Sequence, residues 1–113
     1  MHEMSICERI VQVLEEQART HCYQRVKKVW LEIGPLAGVE LEALRFSFEV
    51  VARGTLTEGA GLEIIQPPGE AWCLTCDKLV AIRERFDSCP ECGGYRLRVT
   101  SGDQLRIKEL QVE

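Results

Sequence analysis

Cys73 and Cys76 are followed, after twelve intervening residues, by Cys89 and Cys92. A Cys-x-x-Cys pair lets one tight turn aim two sulfurs at a single ion, and two such pairs supply a complete tetrahedral set. The spacing predicts zinc. With all four positions taken by thiolate, no position is left for water, so the ion would organise the chain rather than hydrolyse a substrate. Four ordinary buried thiols or two disulfides are the plain alternatives. A thioredoxin-like redox motif would need one pair at a strand-to-helix junction. Here Cys73 follows a strand end closed by Pro67-Pro68, and Cys89-Pro90 sits in a turn.

Cys73-Leu74-Thr75-Cys76 would form one knuckle. Cys89-Pro90-Glu91-Cys92-Gly93-Gly94 would form the other, its two glycines letting the chain turn sharply past the metal. Leu79 to Phe86 reads as a short extended stretch. The module from about Ala71 to Val99 is too small to bury a useful apolar core, so bound metal would supply its folding energy.

Charge narrows the partners. Residues 1–70 hold seven Lys or Arg and eleven Glu, a net of −4, whereas Cys73 to Val99 holds five basic and four acidic residues. Four thiolates around one zinc ion add a net −2, which cancels that slight basic excess. Only Arg83, Arg85, Arg96 and Arg98 could build a basic face on the module. A ribbon used on DNA or RNA carries more cations than this, with stacking aromatics; protein partners are expected instead. The opening Met-His-Glu-Met-Ser has no basic leader or apolar core, and no apolar run approaches the roughly 20 residues that span a bilayer. The expected compartment is reducing and cytoplasmic.

From Glu3 to about Cys22 there is no Gly or Pro, and Met4, Cys7, Val11, Leu14 and Ala18 recur at helical spacing. Cys7 falls on that apolar stripe and reads as core packing; His21 and Cys22 sit at the helix end. Val29, Leu31 and Ile33 alternate with Lys28, Trp30 and Glu32 as a strand ended by Gly34-Pro35, with Trp30 a packing residue. A second helix fits Glu40 to about Val51, with Leu41, Leu44, Phe48 and Val51 on one face. Leu62 to Gln66 reads as a second strand and Asp103 to Val112 as a third. In that third strand Leu105 and Ile107 are out of phase with Leu110 and Val112, which predicts a bulge near Lys108-Glu109.

These elements predict one α+β fold: two helices on a small mixed three-stranded sheet, with an inserted four-cysteine zinc-ribbon module. The strand-helix-strand unit favours parallel pairing. The expected division is residues 1–68 plus 101–113 as an α/β domain and residues 69–100 as the zinc-binding domain. So small a sheet leaves edges open and invites a homodimer or strand exchange.

No catalytic constellation is present, and no enzyme is expected. His2 and His21 lie about five turns apart on one helix, and Gly59-Ala60-Gly61 lacks the Lys-Ser/Thr of a phosphate loop. The extreme N-terminus offers a different chemistry. A free α-amine at Met1, the His2 imidazole and the intervening amide nitrogen can chelate one ion in fused, near-planar rings suited to Ni(II) or Cu(II), with the Glu3 amide or carboxylate filling the remaining position. Glu40 and Glu42 could approach and add an oxygen ligand. The plain reading of a histidine at position two is a solvated, frayed side chain.

Met1-His2-Glu3-Met4-Ser5 before a long helix, Val29-Trp30-Leu31-Glu32-Ile33-Gly34, Arg45-Phe46-Ser47-Phe48-Glu49, the paired cysteine motifs, and Ser101-Gly102-Asp103 through Val112-Glu113 resemble the HypA/HybF family of hydrogenase maturation proteins. The resemblance covers nearly the whole chain. It implies a nickel metallochaperone that helps insert nickel into the large-subunit precursor of a [NiFe]-hydrogenase, working with a HypB-type GTPase. It assigns nickel to His2, assisted by Glu3 and the terminal amine of Met1, and zinc to Cys73, Cys76, Cys89 and Cys92. The competing reading is a zinc-ribbon adaptor in which His2 has no role. A redox sensor built on Cys7 or Cys22 would need an exposed, low-pKa thiol.

Overall fold

The helix expected near the N-terminus is α1, Glu3–His21, in a computed structural model that describes residues 2–113. Its stripe of Cys7, Ile10, Val11, Leu14 and Ala18 is buried, and it stops at Cys22, whose φ of 57° is left-handed. The Tyr23 hydroxyl then donates to the Leu14 carbonyl at 2.6 Å, pinning the exit from the helix. The second helix, α2, spans Leu41–Ala52 and buries Leu44, Ser47, Phe48 and Ala52. Glu40 lies one residue outside it. Its carboxylate accepts from the backbone N–H groups of Glu42 and Ala43, satisfying donors that a helix start leaves over.

The strand after α1 is β1, Val26–Ile33, which starts earlier than its alternation suggests. Val26 N–H donates to the Leu56 carbonyl, and Gln24 and Arg25 donate to that of Glu113, so backbone pairing extends the strand beyond its apolar pattern. With β2, Gly61–Ile65, and β6, Leu105–Val112, it forms the expected mixed sheet in the order β2-β1-β6. In β6 the less exposed residues are Ile107 and Leu110, three apart, which is the change of phase read from the sequence. Trp30 is half-buried, and the Lys28 ammonium lies 4.8 Å from its ring centroid while also pairing with Glu63 at 2.7 Å.

The cysteine region holds more regular structure than its sequence shows. The strands β3 (Glu70–Cys73), β4 (Lys78–Ala81) and β5 (Leu97–Ser101) form a second antiparallel sheet in the order β4-β3-β5. Strands of four or five residues carry only two or three side chains on each face, too few to display a period.

The chain divides into two compact units. One comprises the residues up to Leu31, Val39–Ile64 and Ile107–Glu113; the other is Glu32–Gly38 with Ile65–Arg106. In the first, the buried residues of α1 and α2 join Val26, Val29 and Leu31. In the second, Leu36, Ala71, Cys73, Val80, Ile82 and Cys89 form the core. Backbone packs on backbone there. A Cβ added to Gly34 would collide with the carbonyl of Gly102, and one added to Gly102 would lie 2.6 Å from the Gly69 Cα. Leu36 is held by its N–H on the Gly102 carbonyl at 2.7 Å, and the Arg85 Nε donates to the Leu36 carbonyl at 2.7 Å. Among the described residues, no helix is long and apolar enough to cross a membrane.

Candidate metal centre

The first cysteine pair forms the turn of the β3-β4 hairpin, where Cys73 pairs with Lys78. Asp77 N–H donates to the Cys73 carbonyl at 2.8 Å, and Gly93 N–H donates to the Cys89 carbonyl at 2.9 Å. Each closing residue lies four positions after the first cysteine of its pair, and both are left-handed, with φ of 55° at Asp77 and 73° at Gly93. The two knuckles repeat one backbone design. Backbone donors also reach the leading sulfurs, at different offsets: Cys76 N–H donates to the Cys73 Sγ at 3.3 Å, three residues on, and Glu91 N–H to the Cys89 Sγ at 3.4 Å, two residues on. Gly93 was legible from sequence as a turn glycine. Asp77 was missed, and only the equal offset from Cys73 and Cys89 could have disclosed it.

The four Sγ atoms lie within 4.8 Å of one another, with Cys73 to Cys92 at 3.7 Å and Cys76 to Cys89 at 3.9 Å. A zinc–sulfur bond of about 2.3 Å gives a tetrahedron with edges of about 3.8 Å, so the spacing fits that ion. All six cysteines of the chain are free thiols. Backbone N–H groups of Cys92 and Glu91 pull the Cys89 thiol down to about 7, the direction that favours a ligating thiolate. Hydrogen bonding to the neighbouring Cys92 and Cys73 sulfurs pushes Cys76 up to about 12 in the absence of a cation. Cys73 and Cys89 are buried, Cys76 half-buried and Cys92 exposed, so the cluster opens to solvent on one side.

At the other candidate site, Met1 lies outside the described residues. His2 precedes α1 with an exposed side chain that makes no capping hydrogen bond, and its carbonyl accepts the helix's first bond from Ile6 N–H at 3.1 Å. The Glu3 carboxylate accepts the Glu40 N–H at 3.2 Å, and that contact holds its carboxyl below the usual 4.5. Glu40 does reach this region, through its backbone. Its carboxylate is turned to Ala43 N–H at 2.6 Å and Glu42 N–H at 3.3 Å. Cys7 is fully buried, donates to the Leu44 carbonyl at 3.5 Å and is pushed to about 11 by that burial, the properties of a packing residue.

A family model described as HypA, hydrogenase/urease nickel incorporation metallochaperone, matches residues 1–112. The chain belongs to the HypA family. It is 67% identical to the hydrogenase maturation factor HypA of Azotobacter chroococcum mcd 1, over 113 residues and the whole of both chains. It is 64% identical, again over the whole of both, to that of Azotobacter vinelandii. The solution structure of the Ni metallochaperone HypA from Helicobacter pylori shares its fold with a TM-score of 0.70 at 22% identity, covering 99% of this chain and 97% of that one. A second HypA solution structure gives a TM-score of 0.71 at 22% identity, covering 100% and 97%. HypA is a family of nickel incorporation and hydrogenase maturation, so the family and the fold expected from sequence are both found.

Proposed function

We infer that this HypA chain carries Ni(II) on its N-terminus and hands it to the large-subunit precursor of a [NiFe]-hydrogenase. The observation that carries the reading is the contrast at the start of α1. Glu3 is anchored on Glu40 N–H while the adjacent His2 side chain is exposed with no capping role, which leaves its imidazole available as a ligand. The Met1 amine, the His2 imidazole and the amide nitrogen between them take nickel in fused rings, and the Glu3 amide or carboxylate completes the set. The Glu3–Glu40 contact positions the first turn. Such a site is exposed and exchangeable, as delivery requires. Release follows by ligand exchange, because thiolates of the precursor are softer and stronger donors for nickel. A HypB-type GTPase partner in the cytoplasm belongs to this reading, and the protein performs no catalysis of its own.

Cys73, Cys76, Cys89 and Cys92 hold zinc as a structural ion. When bound, it neutralises the thiolates and supplies folding energy to the short strands around it.

The test is a nickel titration by calorimetry and electronic absorption on zinc-loaded protein with a native, untagged N-terminus, repeated with His2→Ala. Saturable nickel binding lost in His2→Ala, with zinc content and amide spectrum intact, supports the reading. Equal, weak binding by both proteins returns the chain to the zinc-ribbon adaptor reading.

A further inference from the structure

The outward face of the β4-β3-β5 sheet carries a surface that neither metal site uses. In the antiparallel register Trp72 stands opposite Leu79 on one side and Arg98 on the other, and Leu74 N–H donates to the Arg96 carbonyl at 2.9 Å just beyond. Opposed residues share a face and neighbours along a strand alternate, so Trp72 projects away from the core residues Ala71 and Cys73. The result is an apolar strip in water: Trp72 is 36% exposed, Leu74 45% and Leu79 48%. Both arginines beside it are exposed, and among the described residues neither takes part in an ion pair. Glu70, opposite Ala81, lies at the other end of the strip, so the face is electrically polar along its length.

Contiguous apolar surface of this kind marks an interaction site, and the charge selects its occupant. A second copy whose two-fold axis runs along the strip would bring arginines toward arginines, which disfavours that arrangement, whereas an axis across the strip carries Arg96 toward Glu70 and is one of the outcomes tested below. Single-stranded nucleic acid needs a longer cationic track and more stacking rings than one indole. We propose that this face docks an acidic protein segment whose apolar side chains lie across Trp72 and Leu79 while its carboxylates bind Arg96 and Arg98. Guanidinium forks suit carboxylates, and tryptophan and arginine are residue types in which interface hot spots are enriched. The inference is independent of the nickel reading, since it needs neither His2 nor cargo.

The experiment titrates three probes into the full zinc-loaded chain under nitrogen-15 NMR: a short peptide of alternating glutamate and valine, its lysine-valine counterpart, and oligothymidylate. The expected result is saturable shifts of the Trp72 indole and Leu79 amide with the acidic peptide alone, weakened by salt. Arg96→Glu combined with Arg98→Glu lowers the affinity about tenfold or more, as for close interfacial charge pairs. Leu79→Ser, which touches neither arginine, also lowers it and guards against a folding defect in the charge-reversed chain. No response to the acidic peptide, or a response unchanged by either variant, overturns the proposal. Preferential binding of oligothymidylate does so in favour of nucleic acid, and a concentration-dependent dimer abolished by Leu79→Ser does so in favour of a second copy.

Discussion

The Glu3 carboxylate accepts the backbone N–H of Glu40 at 3.2 Å, while the carboxylate of Glu40 is spent on capping its own helix at Ala43. Two glutamates that meet at the starts of α1 and α2 thus do different work: one ties the helices together and the other closes an end.

Glu3→Gln tests that tie. Because the Glu40 N–H lowers the Glu3 pKa from 4.5, the folded chain binds this proton less readily than the unfolded chain. The stabilisation is therefore complete above the unfolded value and is lost as pH falls through the lower folded one. The melting temperature of Glu3→Gln is expected to lie below that of the parent at neutral pH. The gap closes well below pH 4.5. A gap that is constant with pH would refute the charge-assisted contact.

Gly34→Ala places a methyl group against the Gly102 backbone, which cannot yield as a flexible side chain would. A cost of about 3 kcal/mol in urea unfolding is expected, at the upper end for an overpacked core. Hydrogen exchange should speed up in Ala71–Ile82. Gly61→Ala is the control, because its added Cβ meets only ordinary contacts, the Lys28 side chain at 3.5 and 3.8 Å and the Lys27 carbonyl at 3.9 Å.

Removing the ion, by a strong chelator or by Cys73→Ser, should melt the second unit. Elemental analysis is expected to find one zinc per chain in the parent and far less in the variant. Amide dispersion should collapse for β3, β4 and β5 while α1 keeps its signals. Retention of the full spectrum without metal would show that Leu36 and its neighbours suffice alone.

Phe86 stands at φ 68° and is 93% exposed, so its side chain bears left-handed strain without compensating burial. Left-handed backbone costs a bulky residue roughly 1–2 kcal/mol, and glycine returns part of that through unfolded-state entropy. Phe86→Gly should therefore raise stability by about 0.5 kcal/mol in denaturant unfolding.

Long periodic signals were readable without a structure. Nineteen helical residues gave α1 away through regularly spaced apolar positions, of which Cys7, Val11, Leu14 and Ala18 are buried while Met4 is exposed, and the cysteine spacing disclosed a cluster whose sulfurs do converge. Features resting on contacts distant in sequence were not. Leu36 falls between the strand end at Gly34-Pro35 and the second helix, where no periodic pattern marks it, yet it shares one core with Cys73 and Cys89. Glu40 read as a possible ligand because its charge is visible in the sequence, whereas the use of that charge as a helix cap depends on backbone geometry. The strands β3, β4 and β5 were too short to announce a period.

The strip from Glu32 to Gly38 belongs with the cysteines although α2 and β2 separate them along the chain. A cysteine module lifted out as one continuous stretch would leave Leu36 behind, together with the carbonyl that receives Arg85 and the glycine that fits against Gly102. For engineering, this makes the ribbon a poor cassette for transplantation. It would have to travel with its upstream strip, or be grafted into a host that already presents a leucine on an equally close backbone.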